Sequence, residues 1–296
     1  MLFDVLQQDL TFFVVSTFVL GLLVGSFLNV VIYRLPVIFK RQWRQDCCHY
    51  LEENYAAKIQ LNTEKELEEP FDLIKPDSTC PNCGHRIRAW ENIPLISYLF
   101  LKAKCSQCKT PISVRYPLIE LLSAILAAIC AWHFGFSLAA LAAMLLTWAL
   151  ISLAMIDYDT QYLPDQITLP FLWAGLILNL DHTFVDIESA IIGAIAGYLV
   201  LWTVHHSFKL ITKKEGMGHG DFKLLALFGA WMGWQHLPAI IIFSSLVGSI
   251  IGITLIFLKR HKREIPIPFG PYLAIAGWIV LIWGKEINQA YISWIS

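Results

Sequence analysis

Charge is scarce in this chain. Only 15% of its 296 residues are Asp, Glu, Lys or Arg, and the formal net charge is −1. No broad basic field exists, so nucleic acid is excluded as a partner on electrostatic grounds. With 56% hydrophobic residues and a mean hydropathy of +0.57, the chain reads as an integral membrane protein. A strand–GxGxxG–helix unit and a phosphate loop are also missing, which excludes a nucleotide-binding fold. The first apolar segment follows Asp4 and Asp9 rather than Lys or Arg and has no Ala-x-Ala ending, so it is expected to stay uncleaved.

What is present is a series of long apolar runs. Residues 10–33 carry no charge and are long enough to cross a hydrocarbon core of roughly 30 Å. Further runs at 117–134, 137–156, 167–180, 187–208, 222–234, 237–258 and 269–283 bring the expectation to about eight transmembrane helices, an all-α polytopic membrane protein. Runs 167–180 and 222–234 would cover only about 20 Å as helices, less than a bilayer core. Between the first two runs lies a polar insert, residues 34–116. The organisation expected is a first transmembrane helix (1–33), an insert (34–116) and a seven-helix membrane domain (117–296).

Orientation follows from the basic residues. With the insert in the cytoplasm, Lys209, Lys213, Lys214, Lys223, Lys259, Arg260, Lys262 and Arg263 fall on the same side, and Lys285 alone falls opposite. Both termini are then outside.

Two carboxylates lie at the cytoplasmic boundary under this topology. Asp157 ends one apolar run, and Asp221 ends the stretch Gly216-Met217-Gly218-His219-Gly220-Asp221 ahead of another. At equal depth they could form a dyad sharing one proton, the arrangement of an aspartic protease. Gly218 and Gly220 would let a peptide backbone approach Asp221. The alternative for Asp221 is a helix N-cap, and Asp165 reads as a cap after a turn. Glu120, one turn inside its span, is an intramembrane acid. Asp159 is a loop residue, and His205 and His206 read as packing or headgroup contacts. Gly21-x-x-x-Gly25 suits close helix packing, and Asn29 should face protein or water.

Within the insert, Cys80-x-x-Cys83 and Cys105-x-x-Cys108 supply four thiolates, which suits structural Zn²⁺. Two disulfides or a redox pair are the other readings, and a cytoplasmic location disfavours disulfides. Cys47, Cys48 and His49 are contiguous, poor spacing for a metal. The first part of the insert is expected to be helical, with Leu51, Tyr55 and Ile59 on one face.

Together these residues resemble the bacterial type IV prepilin peptidases, membrane-embedded aspartic proteases of the GxGD type. The resemblance is carried by the block from Gly25 to Pro36, both cysteine pairs, Glu91-Asn92-Ile93-Pro94, Arg115-Tyr116-Pro117, Ile156-Asp157, Leu163-Pro164-Asp165 and Gly218-His219-Gly220-Asp221-Phe222-Lys223-Leu224. It implies that Asp157 and Asp221 are the catalytic pair. It also implies a bifunctional enzyme of the bacterial inner membrane that removes basic leaders from type IV prepilins and type II secretion pseudopilins. The same enzyme would then methylate the new N-terminus with S-adenosyl-L-methionine. Ala103 stands where members of this family often carry glycine. Leader cleavage without methylation and a proton-coupled transporter are the alternative functions.

Overall fold

The computed structural model describes residues 6–55, 71–214, 216–257 and 268–295. Nine helices of α type run through them: α1 (Leu10–Tyr55), α2 (Ile96–Phe100), α3 (Arg115–Phe134), α4 (Leu138–Thr160), α5 (Asp165–Asn179), α6 (Ile187–Thr212), α7 (His219–Met232), α8 (Leu237–Phe257) and α9 (Gly270–Ile295). The described residues form no strand, only the isolated bridges Thr79 to Arg86 and Lys104 to Pro111. The chain is thus an all-α polytopic membrane protein.

Among the described residues, five helical segments are long and apolar enough to cross a bilayer, in α1, α3, α4, α6 and α8. The other three expected spans are helical but differ. α5 and α7 have 15 and 14 residues, and α9 is interrupted by non-helical backbone at Trp283 (φ −116°, ψ 19°). The first helix also continues past the expected end at residue 33, through Pro36, to Tyr55. The polar residues behind Arg34 are mostly Lys, Arg, Gln and Glu, which lose little side-chain freedom in a helix. Ile59 and the cations Lys259, Arg260, Lys262 and Arg263 lie outside the described residues.

By internal packing the chain divides into two units, Phe18–Ile125 and a second made of Met1–Thr17 with Leu126–Ser296. In the first, Gly21 and Gly25 lie against the backbones of Ala124 and Glu120, where an added Cβ would approach their Cα atoms to 2.6 and 2.7 Å. Asn29 donates to the carbonyls of Gly25 and Tyr116, both at 3.2 Å, which links α1 to the start of α3. Arg34 is buried and donates to the carbonyls of Asp72 and Pro76, organising the segment that leads into the cysteines.

In the second unit the core is α7. Phe222, Leu224, Leu225, Leu227 and Phe228 are fully buried, because α5, α6 and α9 surround this short helix. An apolar helix enclosed by other helices need not match the thickness of a bilayer. Backbone proximity is closest between Gly193 and Gly229, where α6 and α7 touch without side chains. Asn179 closes the far end: its amide donates to the carbonyls of Ala230 and Trp231, and its oxygen accepts the Phe184 and Val185 amides.

Candidate active site

α4 begins behind Ser137, whose hydroxyl accepts the Ala140 amide, and ends at Gln161 in the left-handed region. The Gln161 amide returns to the Asp157 carbonyl, so Asp157 occupies the last turn. Asp221 occupies the first turn of α7, behind the N-cap Gly218. Asp221 is therefore inside the helix and is not its cap. Both carboxylates are buried, and the charge of Asp157 reaches Asp221. The structure thus brings together the two acids that the sequence places at the ends of separate apolar runs.

Their surroundings differ. Asp157 Oδ2 accepts the Gly270 amide at 3.0 Å, from the first turn of α9. A Cβ on Gly270 would stand 2.6 Å from that oxygen, so the approach requires glycine. Asp221 Oδ1 is buried, and no donor among the described residues reaches it. Gly270 is a site residue that sequence reasoning missed. The available signal was Phe269-Gly270-Pro271 opening an apolar run at the same boundary as the two aspartates.

The two loop glycines are not equivalent. A Cβ on Gly220 would meet Leu163 at 2.7 Å, whereas one on Gly218 would have only Asp221 Oδ2 near it, at 3.7 Å. Gly220 thus lets α7 pack against the Leu163-Pro164 turn, and the space beside Gly218 is open. Asp165 does not cap α5, since the N-cap is Pro164. Instead Lys223 donates to both Asp165 oxygens at 2.7 Å, tying the start of α5 to α7 two residues beyond Asp221. His205 is buried against His219 and Phe222, a packing position.

In the other unit the four cysteines converge. The sulfurs of Cys80, Cys83, Cys105 and Cys108 lie within 4.8 Å of one another, the one group with metal-holding geometry among the described residues. Cys80 to Cys108 is 3.7 Å and Cys83 to Cys105 is 4.0 Å. Four sulfurs around zinc at about 2.3 Å would have edges of roughly 3.8 Å, so the donor set fits a tetrahedral ion. The two knuckles repeat one design: the Cys80 amide donates to the His85 carbonyl, and the Cys105 amide to the Thr110 carbonyl. The Thr110 hydroxyl, then its amide, pulls the Cys108 thiol down, while Cys83 in the same cluster is pushed up, so the sulfurs share their charge unequally when no metal is bound. The Asn82 amide reaches that hydroxyl from the opposite knuckle.

Glu91 braces the same cluster. It accepts the Arg88 amide at 2.8 Å and meets His85 at 3.1 Å. The Arg88 amide, then the Ser106 side chain, holds its carboxyl down at about 2. Glu120 receives the Leu95 amide at 2.9 Å, so its burial is matched by a donor from the insert. His49 faces Glu53 on an exposed stretch of α1, apart from any metal-holding group.

Residues 19–134 match the bacterial peptidase A24 N-terminal domain, and residues 144–253 match the type IV leader peptidase family. A prepilin leader peptidase/N-methyltransferase of Stutzerimonas stutzeri is 53% identical over 280 residues, 95% of this chain and 94% of that protein. Proteins of the same name from Pseudomonas aeruginosa and Neisseria gonorrhoeae are 52% and 49% identical. Those alignments cover 98% and 94% of this chain, and 97% and 93% of theirs. No solved structure matches the chain. With identity near one half sustained over almost its whole length, the chain belongs to the type IV leader peptidase family.

Proposed function

We propose that this protein is an aspartic endopeptidase that cleaves the basic leader from type IV prepilins and type II secretion pseudopilins, and then methylates the new N-terminus. The observation that carries the reading is the pair Asp157 and Asp221, both buried and standing at the ends of two helices, in a chain whose full-length relatives bear that name. Asp157 and Asp221 are the catalytic residues. One carboxylate takes a proton from water while its protonated partner donates to the scissile carbonyl, and the proton passes to the leaving amine as the C–N bond breaks. Gly270 fixes Asp157 for this step through its amide. Gly218 and Gly220 form the substrate side of the loop. Gly218 offers the open space, and Gly220 sets the position of α7.

The division of labour follows the chain: the first membrane span (1–33), the insert (34–116), into which the first helix continues, and the protease domain (117–296). Cys80, Cys83, Cys105 and Cys108 hold structural Zn²⁺, whose role is to cross-link the two knuckles, since four protein ligands leave no position open for catalysis. The methyl group passes from S-adenosyl-L-methionine to the new amine, with S-adenosylhomocysteine and a proton released. The multi-pass chain lies in the bacterial inner membrane with the dyad facing the cytoplasm, an orientation supported by its basic residues. There the dyad meets the junction between a cytoplasmic basic leader and an apolar segment entering the bilayer. The peptide must be extended at the cleaved bond, because a helical amide is already engaged.

The test is a paired assay on the purified full chain, measuring leader cleavage and methyl transfer to a precleaved substrate. Asp157→Asn and Asp221→Asn should each abolish cleavage and retain methylation. Cleavage at the parent rate in either variant would reject the dyad. A dyad titrates as a unit, so the cleavage rate should fall at both ends of a range of about pH 4 to 9; a flat profile in folded protein would contradict it.

A further inference from the structure

The insert exposes an apolar face at the one place where a soluble domain should not. In α2, Ile96, Leu99 and Phe100 are spaced i, i+3, i+4 and therefore share a face. All three point outward, with Leu99 73% and Phe100 83% exposed, and Trp90 and Ile93 beside them in sequence are half exposed. Directly behind them Lys102 and Lys104 are exposed as well. The inward positions are the polar ones: Tyr98 reaches the Ile112 carbonyl and Ser97 the Ile93 carbonyl. This amphipathicity is inverted for a water-facing turn, and it is arranged as in segments that lie in a lipid interface.

A hydrogen bond fixes the depth of this face. Leu95, the residue before α2, donates its amide to Glu120, and Glu120 stands five residues into the spanning helix α3. At 1.5 Å per residue that is about 7.5 Å below Arg115. The headgroup and acyl boundary, where interfacial apolar faces settle, is roughly 5–10 Å deep. Leu95 has φ +57°, a costly conformation for a non-glycine residue, so the contact with Glu120 holds a backbone that would not adopt it freely. The Leu95 contact ties the exposed face to a helix long and apolar enough to cross a bilayer, and its cations suit anionic headgroups.

We infer that Trp90, Ile93, Ile96, Leu99 and Phe100 seat the insert in the anionic phospholipid interface, with Lys102 and Lys104 at headgroup level. The insert is then a membrane-resting element rather than a free cytoplasmic domain. This reading is independent of the dyad.

The experiment places p-benzoylphenylalanine at Leu99, at Phe100 and, as the control, at the exposed knuckle residue Gln107. The full chain is reconstituted in nanodiscs of phosphatidylethanolamine and phosphatidylglycerol and irradiated. Mass spectrometry should find phospholipid adducts at 99 and 100 several-fold above those at 107. With the probe at Leu99, Phe100→Glu should lower the adduct yield while zinc content and melting temperature stay at parent values. Lys102→Glu with Lys104→Glu should remove any preference for phosphatidylglycerol. Equal adduct yields at all three positions would overturn the proposal. So would cross-links that go to a second copy of the chain, or to added prepilin, in place of lipid.

Discussion

The four-cysteine cluster and the aspartate pair are both small polar constellations in a hydrophobic protein, yet they are provisioned in opposite ways. Around the cysteines each supporting group is paired. Asn82 meets Thr110, Thr110 meets Cys108, and Glu91 spans Arg88 and His85. Around the aspartates the Gly270 amide serves Asp157 and the Gly218 backbone lies by Asp221, whose Oδ1 is buried with no donor among the described residues. Buried polar atoms are usually satisfied, so an unsatisfied carboxylate oxygen is a cost that packing does not explain. The contrast separates a cluster whose supporting groups are paired from one that leaves an acid oxygen unpaired, as the proton exchange proposed for it requires.

The sharpest way to break this comparison is to exchange the injuries. Asp157→Asn or Asp221→Asn should lower cleavage about 10³-fold or more, with metal content and melting temperature unchanged. Cys80→Ser should do the reverse: metal content, measured by atomic emission, should drop from one per chain to near zero, and the insert should become sensitive to protease. Its effect on cleavage should be far smaller than that of either aspartate variant. If the cysteine variant matched the aspartate variants in cleavage while keeping its metal, the separation of roles would fail.

Gly270→Ala is the finer probe of the dyad. Its Cβ would press on the Asp157 carboxylate, and displacing a catalytic group by about 1 Å can cost on the order of 10²-fold. The loss should fall on kcat with KM little changed, and the pH profile should move. A purely structural glycine would lower melting temperature and leave the profile of the remaining activity in place. Smaller again is the Lys223 to Asp165 pair, partly exposed at both ends. A double-mutant cycle with Lys223→Met and Asp165→Asn should give a coupling of about 1 kcal/mol or less in stability. Any several-fold loss of cleavage beyond that would mean the pair positions α7 for catalysis.

Legibility followed side-chain chemistry. Asp157 and Asp221 could be singled out as candidates because each is an acid at the end of an apolar run, and the convergence of the cysteines could be read because their spacing carries the geometry of the cluster. Gly270 could not be paired with Asp157 from sequence, since it contributes a backbone amide from 113 residues away. The enclosure of α7 was hidden for a different reason. A short apolar run looks the same whether it faces lipid or protein, and here tertiary packing decided. The continuation of α1 to Tyr55 was obscured by the change from apolar to charged residues, which ends the apolar run and not the helix. The outward apolar face of α2 was masked by the insert's overall polarity.

The smallest effect concerns Ala103. The end of α2 closes with the Lys102 amide on the Leu99 carbonyl and the Ala103 amide on the Tyr98 carbonyl, a Schellman arrangement. Lys102 and Ala103 both have left-handed backbone, φ 51° and 59°, with no glycine at either position. A left-handed non-glycine residue costs roughly 1–2 kcal/mol, and glycine avoids that cost. Glycine also adds roughly 0.5–1 kcal/mol of unfolded-state entropy, which offsets part of the gain. Ala103→Gly should therefore stabilise the insert by about 0.5 kcal/mol, visible as slower proteolysis between the knuckles, with dyad cleavage unchanged. Destabilisation would mean that the Ala103 methyl packs well enough to outweigh its backbone.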